Sequence, residues 1–452
     1  MASINLPESP TDFDFEDYIS AHFHSGGYYI ERNIIEKDID IVLELDIITT
    51  NYNHTIPEIQ IFEIKSGGWG FQDIFKLRGW MDYLNIPKSG LVVKKEPRNH
   101  NFIQEKAKYL NVQLVVVAKL EQSKEIISEA FGNKKILDYD ISIWRFSYWV
   151  ERNLLKHLKK CKKIDPGKKC YKNMDNYLFE IESGVFFTQN IIEKAIQLYG
   201  SFQKYPHLSA KCGNELNGSD FDDEYDTLPL NIFKETFYSC NYNDIQISTY
   251  IEHRARLAIL KSAIDYLLYK KAGKYDKIEN SVISSVQLGE SKFEFTSFDT
   301  LPLTFRRGLE EISTHKYFNR YPIFWQWFFG VFGGFILIDY EEVEYQLLSE
   351  KTGIPVEEIP NAFKSYQILF PVNEGWFKTL SNSNIQVMKF FPVPFMGIGA
   401  NYRGFIHTKS RKLEDLEVTG NHTKRDLFKW NNLTMEVIKE SCDDNCISYK
   451  SE

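Results

Sequence analysis

An α/β fold is predicted: a mixed sheet flanked by helices over the first 120 residues or so, then a mainly α region. Two observations carry this. Up to residue 120, helix-spaced and strand-like apolar runs alternate; beyond it, long helical patterns dominate and aromatic residues accumulate. The chain has 452 residues, and single cores stop growing at about 250 to 300, so at least two domains are expected.

The first element is a helix over residues 11–25, where Phe15, Tyr18, Ile19, His22 and Phe23 fall on one face behind capping residues. Three runs rich in Ile, Val and Tyr follow at 28–36, 40–49 and 58–66, the last two joined by the polar turn NYNHTIP. They predict consecutive antiparallel strands. Residues 71–84 are again helical, with Trp80 and Tyr83 assigned to the core. GLVVK at 90–94 is a short strand, 101–110 a helix and 112–118 another strand. Domain boundaries are placed at 1–125, a helical and basic linker at 126–175, and a mainly helical, aromatic-rich unit at 176–452.

Within that last unit, 244–271 predicts a long helix, and 342–370 two helices around a Thr-Gly-Ile-Pro turn. The pair has the form of a helix-turn-helix, with residues 372–391 able to supply a winged-helix-like wing. Its second helix carries one lysine and two glutamates, so a structural helix pair is an equal alternative. The uncharged run YPIFWQWFFGVFGGFILI at 321–338 approaches bilayer length, but Pro322, Gln326, three glycines and its aromatic character predict buried core, a helix running into a strand.

Composition is that of a globular protein, 43% apolar and 26% charged, and no membrane partner is expected. The acidic start MASINLPESPTDFDFED has no basic, apolar leader pattern, which predicts a cytoplasmic location. Of the six cysteines only Cys442 and Cys446 approach metal-type spacing, with no second pair beside them, so free thiols are expected. The acidic stretch 217–226 reads as an exposed loop without EF-hand spacing. A formal net charge of −8 repels a polyanion, so any nucleic-acid contact must be local. Such a surface is offered by Arg152, Lys156, Lys159, Lys160, Lys162, Lys163, Lys168 and Lys169, which could equally form a solvated helix end.

The chemistry-bearing constellation lies at the ends of the second and third strands, ELDIITT and IFEIKSGG. Asp46 and Glu63 fall on neighbouring strands, and Glu63 and Lys65, two apart, leave the same face. Two carboxylates can hold Mg²⁺, or Mn²⁺ in its place, with the backbone carbonyl of Ile64 as a further ligand. A lysine beside them can act on the attacking water or screen charge growing on a phosphodiester. Ser66, Gly67 and Gly68 then open space before the next helix. An acid-x-Lys triplet alone is common on solvated strand edges, and the surrounding order of elements gives it weight.

With ELD followed by FEIKSG inside helix, three-strand meander, helix, strand, helix, strand, residues 11–120 resemble the PD-(D/E)XK, or restriction-endonuclease-like, nuclease superfamily, in particular its Mrr-like, Glu-x-Asp members. The resemblance implies that Asp46 is the first metal ligand with Glu44 close by. It implies that Glu16 on the first helix is an additional acid near the metal, and that Gln72 and Lys76 point into the site. The implied function is Mg²⁺-dependent cleavage of DNA by an endonuclease in genome defence or repair. RNA as substrate, or a catalytically silent binding module, are the alternatives. The remaining three quarters of the chain would select the substrate, or form a homo-oligomer through the C-terminal region.

Overall fold

The computed structural model describes residues 6–37, 40–132, 136–164, 166–167, 175, 178, 242–273, 284–288, 291–295, 303–370, 377–379, 385–388, 395, 398–399 and 402. The N-terminal part follows the predicted order: α1 (Phe13–Ser25), β1 (Tyr29–Lys37), β2 (Ile41–Asn51), β3 (Glu58–Lys65), α2 (Phe71–Leu84), β4 (Ser89–Val93), α3 (His100–Tyr109) and β5 (Val112–Val116), after which comes a helix not predicted from sequence, α4 (Ser123–Phe131). The strands form one sheet in sequence order, β1-β2-β3 antiparallel and β3-β4-β5 parallel. Parallel neighbours need crossover connections, and α2 and α3 supply them. Both crossovers advance across the sheet in one direction, so α2 and α3 cover the same face, packing Ile74, Leu77, Met81 and Ala107 on Ile61, Leu91 and Leu114. Phe15, Ile19 and Phe23 of α1 and Ile127 of α4 cover the other face over Phe62, Ile64 and Val92. Helix α4 therefore belongs to the sheet's own unit and carries it past residue 125.

The rest is α5 (Asp138–Ile164), α6 (Tyr242–Lys271), β6 (Ser284–Leu288), β7 (Ser291–Phe295), α7 (Leu303–Ser313), α8 (Tyr321–Gly330), β8 (Phe335–Leu337), α9 (Glu341–Thr352), α10 (Ile359–Leu369), β9 (Phe377–Thr379) and β10 (Ile385–Met388). The predicted linker is corrected here. Helix α5 buries Ile141, Trp144, Tyr148 and Leu158 in a core shared with α6, α8 and α10, because its apolar residues recur at helical spacing ahead of the basic tail. The aromatic run at 321–338 is the buried helix and strand that its composition predicts, and among the described residues no helix is long and apolar enough to cross a membrane.

Gln326, the single polar side chain in the run YPIFWQWFFG of α8, has a specific place. Its amide donates to the carbonyl of Ile30 at 2.7 Å and accepts from the Ile30 N–H at 3.1 Å, so it pairs with edge strand β1 as another strand would. Both backbone groups of Ile30 on that edge are thereby paired. The imidazole of His24 adds a bond to the same Gln326 oxygen at 2.7 Å.

Helices α9 and α10 form the predicted pair, turned at Gly353 with φ of 76°. Strands β9 and β10 lie where a wing was expected, joined to β8 in the order β8-β10-β9. Helix α10, which would read DNA in a helix-turn-helix, instead buries Ile359, Phe363, Tyr366 and Leu369. Helix α7 approaches it so closely that a methyl group at Gly308 would stand 2.6 Å from the Ile368 carbonyl oxygen. Pro360, Lys364 and Gln367 are the exposed residues of α10, a poor base-reading surface. Cys170, Cys212, Cys240, Cys442, Cys446 and the acidic loop 217–226 lie outside the described residues.

Candidate active site

Strands β2 and β3 are hydrogen-bonded from Asn51/Glu58 up to Ile47/Phe62, and there their pairing stops. Asp46 and Glu63 are the next residues on each strand. The backbone N–H of Ile64 bonds to the Asp46 carboxylate at 2.7 Å instead of to a strand partner. On the other side, β1 and β2 change face at this level. Ile30 and Ile47 pack under α1, whereas Ile34 and Leu45 pack under α2, and Asn33 between them has φ of 52°. The acid of ELD thus sits at a twist in the sheet, beside a fork between strands.

Glu63 is fully buried. One of its oxygens, Oε1, receives two ammonium groups, Lys65 Nζ at 2.5 Å and Lys76 Nζ at 2.8 Å. Its other oxygen, Oε2, is buried without a hydrogen-bond partner. Lys76 comes from α2, and its ammonium lies 4.2 Å from the centre of the Trp80 ring, a cation–π contact. Two contacts fix the frame. Ser66, just after β3, accepts the Asp12 N–H at 2.8 Å and ties the start of α1 to the end of β3. Lys94 holds the segment before α1 through Ser9 Oγ and the Pro10 carbonyl at 2.9 and 2.8 Å.

Burial pushes the Asp46 carboxyl up to about 7, and the charge of Glu63 adds to this against the opposing Ile64 N–H and the lysines. Burial likewise pushes Glu16 up to about 8, with the charge of Asp46 as the next cause. The first helix therefore places Glu16 within the field of Asp46, where it holds a proton at neutral pH. Burial works to lower Lys65, but its bond to Glu63 and the charges of Glu63 and Asp46 outweigh it and leave its pKa raised. Lys65 is thus an ammonium ion, suited to orienting water and screening charge; the role of free base is not the one its surroundings favour.

These shifts fix a pH dependence. The native pKa of Asp46 lies above its ordinary 3.8, so between about pH 4 and 7 the folded chain binds more protons than the unfolded one. Stability from this group is full below that window and is lost as pH rises through it. Asp46→Asn is expected to stabilise the metal-free chain at pH 8, by up to about 4 kcal/mol, with the gain gone by pH 4. Thermal unfolding across that range measures it.

The other site residues divide. Lys76 joins the cluster, whereas Gln72 is exposed and makes no hydrogen bond to it, and Glu44 is exposed on β2. Tyr83, assigned to the core from sequence, is 51% exposed. Arg152 is not a free phosphate ligand: it is committed to Asp14 at 2.7 Å and Asp17 at 3.0 Å. Lys156, Lys159, Lys160, Lys162 and Lys163 do face solvent on the last turns of α5, with Lys162 paired to Asp175. Lys168 and Lys169 lie outside the described residues.

A buried network that the motif does not reveal supports α1 from behind. Arg32 of β1 pairs with Asp17 of α1 and, at 2.9 Å, with Glu151 of α5, and its guanidinium stacks 3.6 Å from the Tyr148 ring centre. The available signal was an arginine among the isoleucines and tyrosines of the strand YYIERNII.

Among the described residues no group of three or more His, Cys, Asp and Glu side chains forms a metal cage. What the fork offers is a carboxylate pair. No protein-family model, curated protein or solved structure matches the chain.

Proposed function

We propose that this chain is a Mg²⁺-dependent nuclease hydrolysing phosphodiester bonds, with DNA as substrate, in genome defence or repair. The observation that carries this is the partnerless, buried Oε2 of Glu63 beside Asp46 at the fork between β2 and β3, with two ammonium groups on the same carboxylate. Such an oxygen is costly to bury unless a hydrogen-bond donor or a cation meets it, and a metal ion is the partner that the neighbouring Asp46 carboxylate favours. The element order around it supports the resemblance to PD-(D/E)XK nucleases.

The donor set fits Mg²⁺, which is usually held by one or two carboxylates together with substrate phosphate and water and needs no full protein cage. Asp46, Glu63 and the Ile64 carbonyl would hold it. Once bound, the ion would polarise a phosphoryl oxygen and make a coordinated water more acidic. The Lys65 ammonium lies where it can stabilise negative charge developing on the phosphate and orient water. Lys76 keeps Glu63 in place, and the protonated Glu16 carboxyl stands ready as a hydrogen-bond donor beside Asp46.

The test is incubation of plasmid, linear duplex, single-stranded DNA and RNA with Mg²⁺, Mn²⁺ or EDTA, beside Asp46→Ala and Lys65→Ala. Metal-dependent cleavage abolished by both substitutions supports the proposal. Cleavage untouched by both overturns the site, and no cleavage of any substrate favours a binding module.

A further inference from the structure

The face of α2 that carries Lys76 continues beyond the site as an aromatic surface. Phe75 is 61% exposed, and Phe102 at the start of α3 is 52% exposed. The half-buried Phe71 bridges them, its ring centre 6.4 Å from Phe75 and 5.9 Å from Phe102. Along the helix the same stripe runs through Gly79 to Tyr83, at spacings of four. A methyl group at Gly79 would meet nothing within 4 Å, so a shallow hollow separates the two aromatic rings. Eight residues of helix place Phe75 and Tyr83 about 12 Å apart.

Cations border this stripe. At one edge Lys65 and Lys76 share the single Glu63 carboxylate, which leaves one positive charge in excess, and at the other Lys106, paired with Glu105 at 3.8 Å, lies 5.5 Å over the Phe102 ring. The acids of the helix are engaged elsewhere, Asp73 with the Gly70 N–H at 2.8 Å and Asp82 with Arg78.

We infer that α2 and the start of α3 form a stacking platform for an unpaired nucleic-acid strand, delivering its backbone to the fork between β2 and β3. In a duplex the π-faces of bases are hidden in the stack and only their edges are reachable, so projecting phenyl rings gain little. An unpaired strand offers its π-faces to Phe75, Phe102 and Tyr83 and its phosphates to the lysines. The substrate class is therefore single-stranded nucleic acid, or the unpaired part of a longer one. The inference rests on the nuclease reading for its purpose, though its binding test does not.

The experiment uses full-length protein in EDTA with fluorescein-labelled oligodeoxythymidine, oligouridine and a duplex of equal length, followed by fluorescence anisotropy. One of the single strands is expected to bind more tightly than the duplex, and which one separates DNA from RNA. Phe75→Ala and Tyr83→Ala should each weaken that binding by about five- to a hundredfold. Phe75→Tyr should restore it, and Gly79→Leu, filling the hollow, should weaken it. Unchanged affinity in Phe75→Ala and Tyr83→Ala overturns the platform. So does a change of oligomeric state without a change in affinity, which would make the face a contact between two copies. Strand binding that depends on Phe75 without cleavage in Mg²⁺ would sink hydrolysis and leave the platform standing; cleavage indifferent to Phe75 would do the reverse.

Discussion

Lys65→Ala is expected to lower metal-dependent cleavage by about a hundred- to a thousandfold, the range seen when one preorganised donor to a transition-state charge is removed. The geometry makes this substitution informative. Glu63 Oε1 holds both Lys65 and Lys76, so with Lys65 gone the buried carboxylate keeps a counter-ion and the fold is retained. The loss then reports on chemistry. Lys76→Ala leaves Lys65 in place and should cost much less, while the double substitution strands Glu63 with no counter-ion and should destabilise the chain as well. Asp46→Asn removes a metal-ligand charge while keeping an acceptor for the Ile64 N–H, and should match Lys65→Ala or exceed it. Initial rates on the preferred substrate, with unfolding curves alongside, separate these cases.

The largest effect on stability is expected from Arg32→Met. Arg32 is 8% exposed and answers two carboxylates on different helices, Asp17 and Glu151. Burial works to raise Glu151, and the charges of Arg32 and Arg254 outweigh it and hold its carboxyl below the ordinary range. Methionine fills much of the volume but takes the shared cation from both acids, leaving Asp17 to Arg152 and Glu151 to Arg254. Removing one partner of a buried ion pair costs about 3–5 kcal/mol. Denaturant titration should show a shift of that size, reduced at low pH where the acids take up protons. Because the network seats α1, and with it Glu16, activity should fall as well in the fraction that remains folded.

The elements up to residue 120 were legible because each follows one period: alternation in β2 and β3, three-four spacing in α1 and α2. The same periodicity recovered α6, α8 and the α9–α10 pair. Helix α5 was misassigned as a linker because nine basic residues between Arg152 and Lys172 draw attention to its tail, while its packing depends on a core assembled from α6, α8 and α10, which no local pattern displays. Asp46, Glu63 and Lys65 could be placed together from strand order alone. Which oxygen of Glu63 the lysines take, and that Lys76 shares it, depends on how α2 packs across the sheet. Arg152 was open to misreading for a physical reason: a charge reveals nothing of its partner, and Asp14 and Asp17 lie more than 130 residues earlier in the chain. The exposure of Phe75 and Phe102 is likewise a tertiary fact, since a phenylalanine on a helix is by default core.

The central claim is that the fork between β2 and β3 holds a divalent cation, and titration of the full chain with Mn²⁺ at pH 8, followed by electron paramagnetic resonance, tests it without reference to any substrate. At that pH the Asp46 carboxyl, at about 7, is mostly ionised. The expected result is one saturable ion per chain, competed by Mg²⁺, bound at least about tenfold more weakly in both Asp46→Asn and Glu63→Gln. Saturable binding that both substitutions leave unchanged, or no binding at all by the folded wild-type chain, would contradict it.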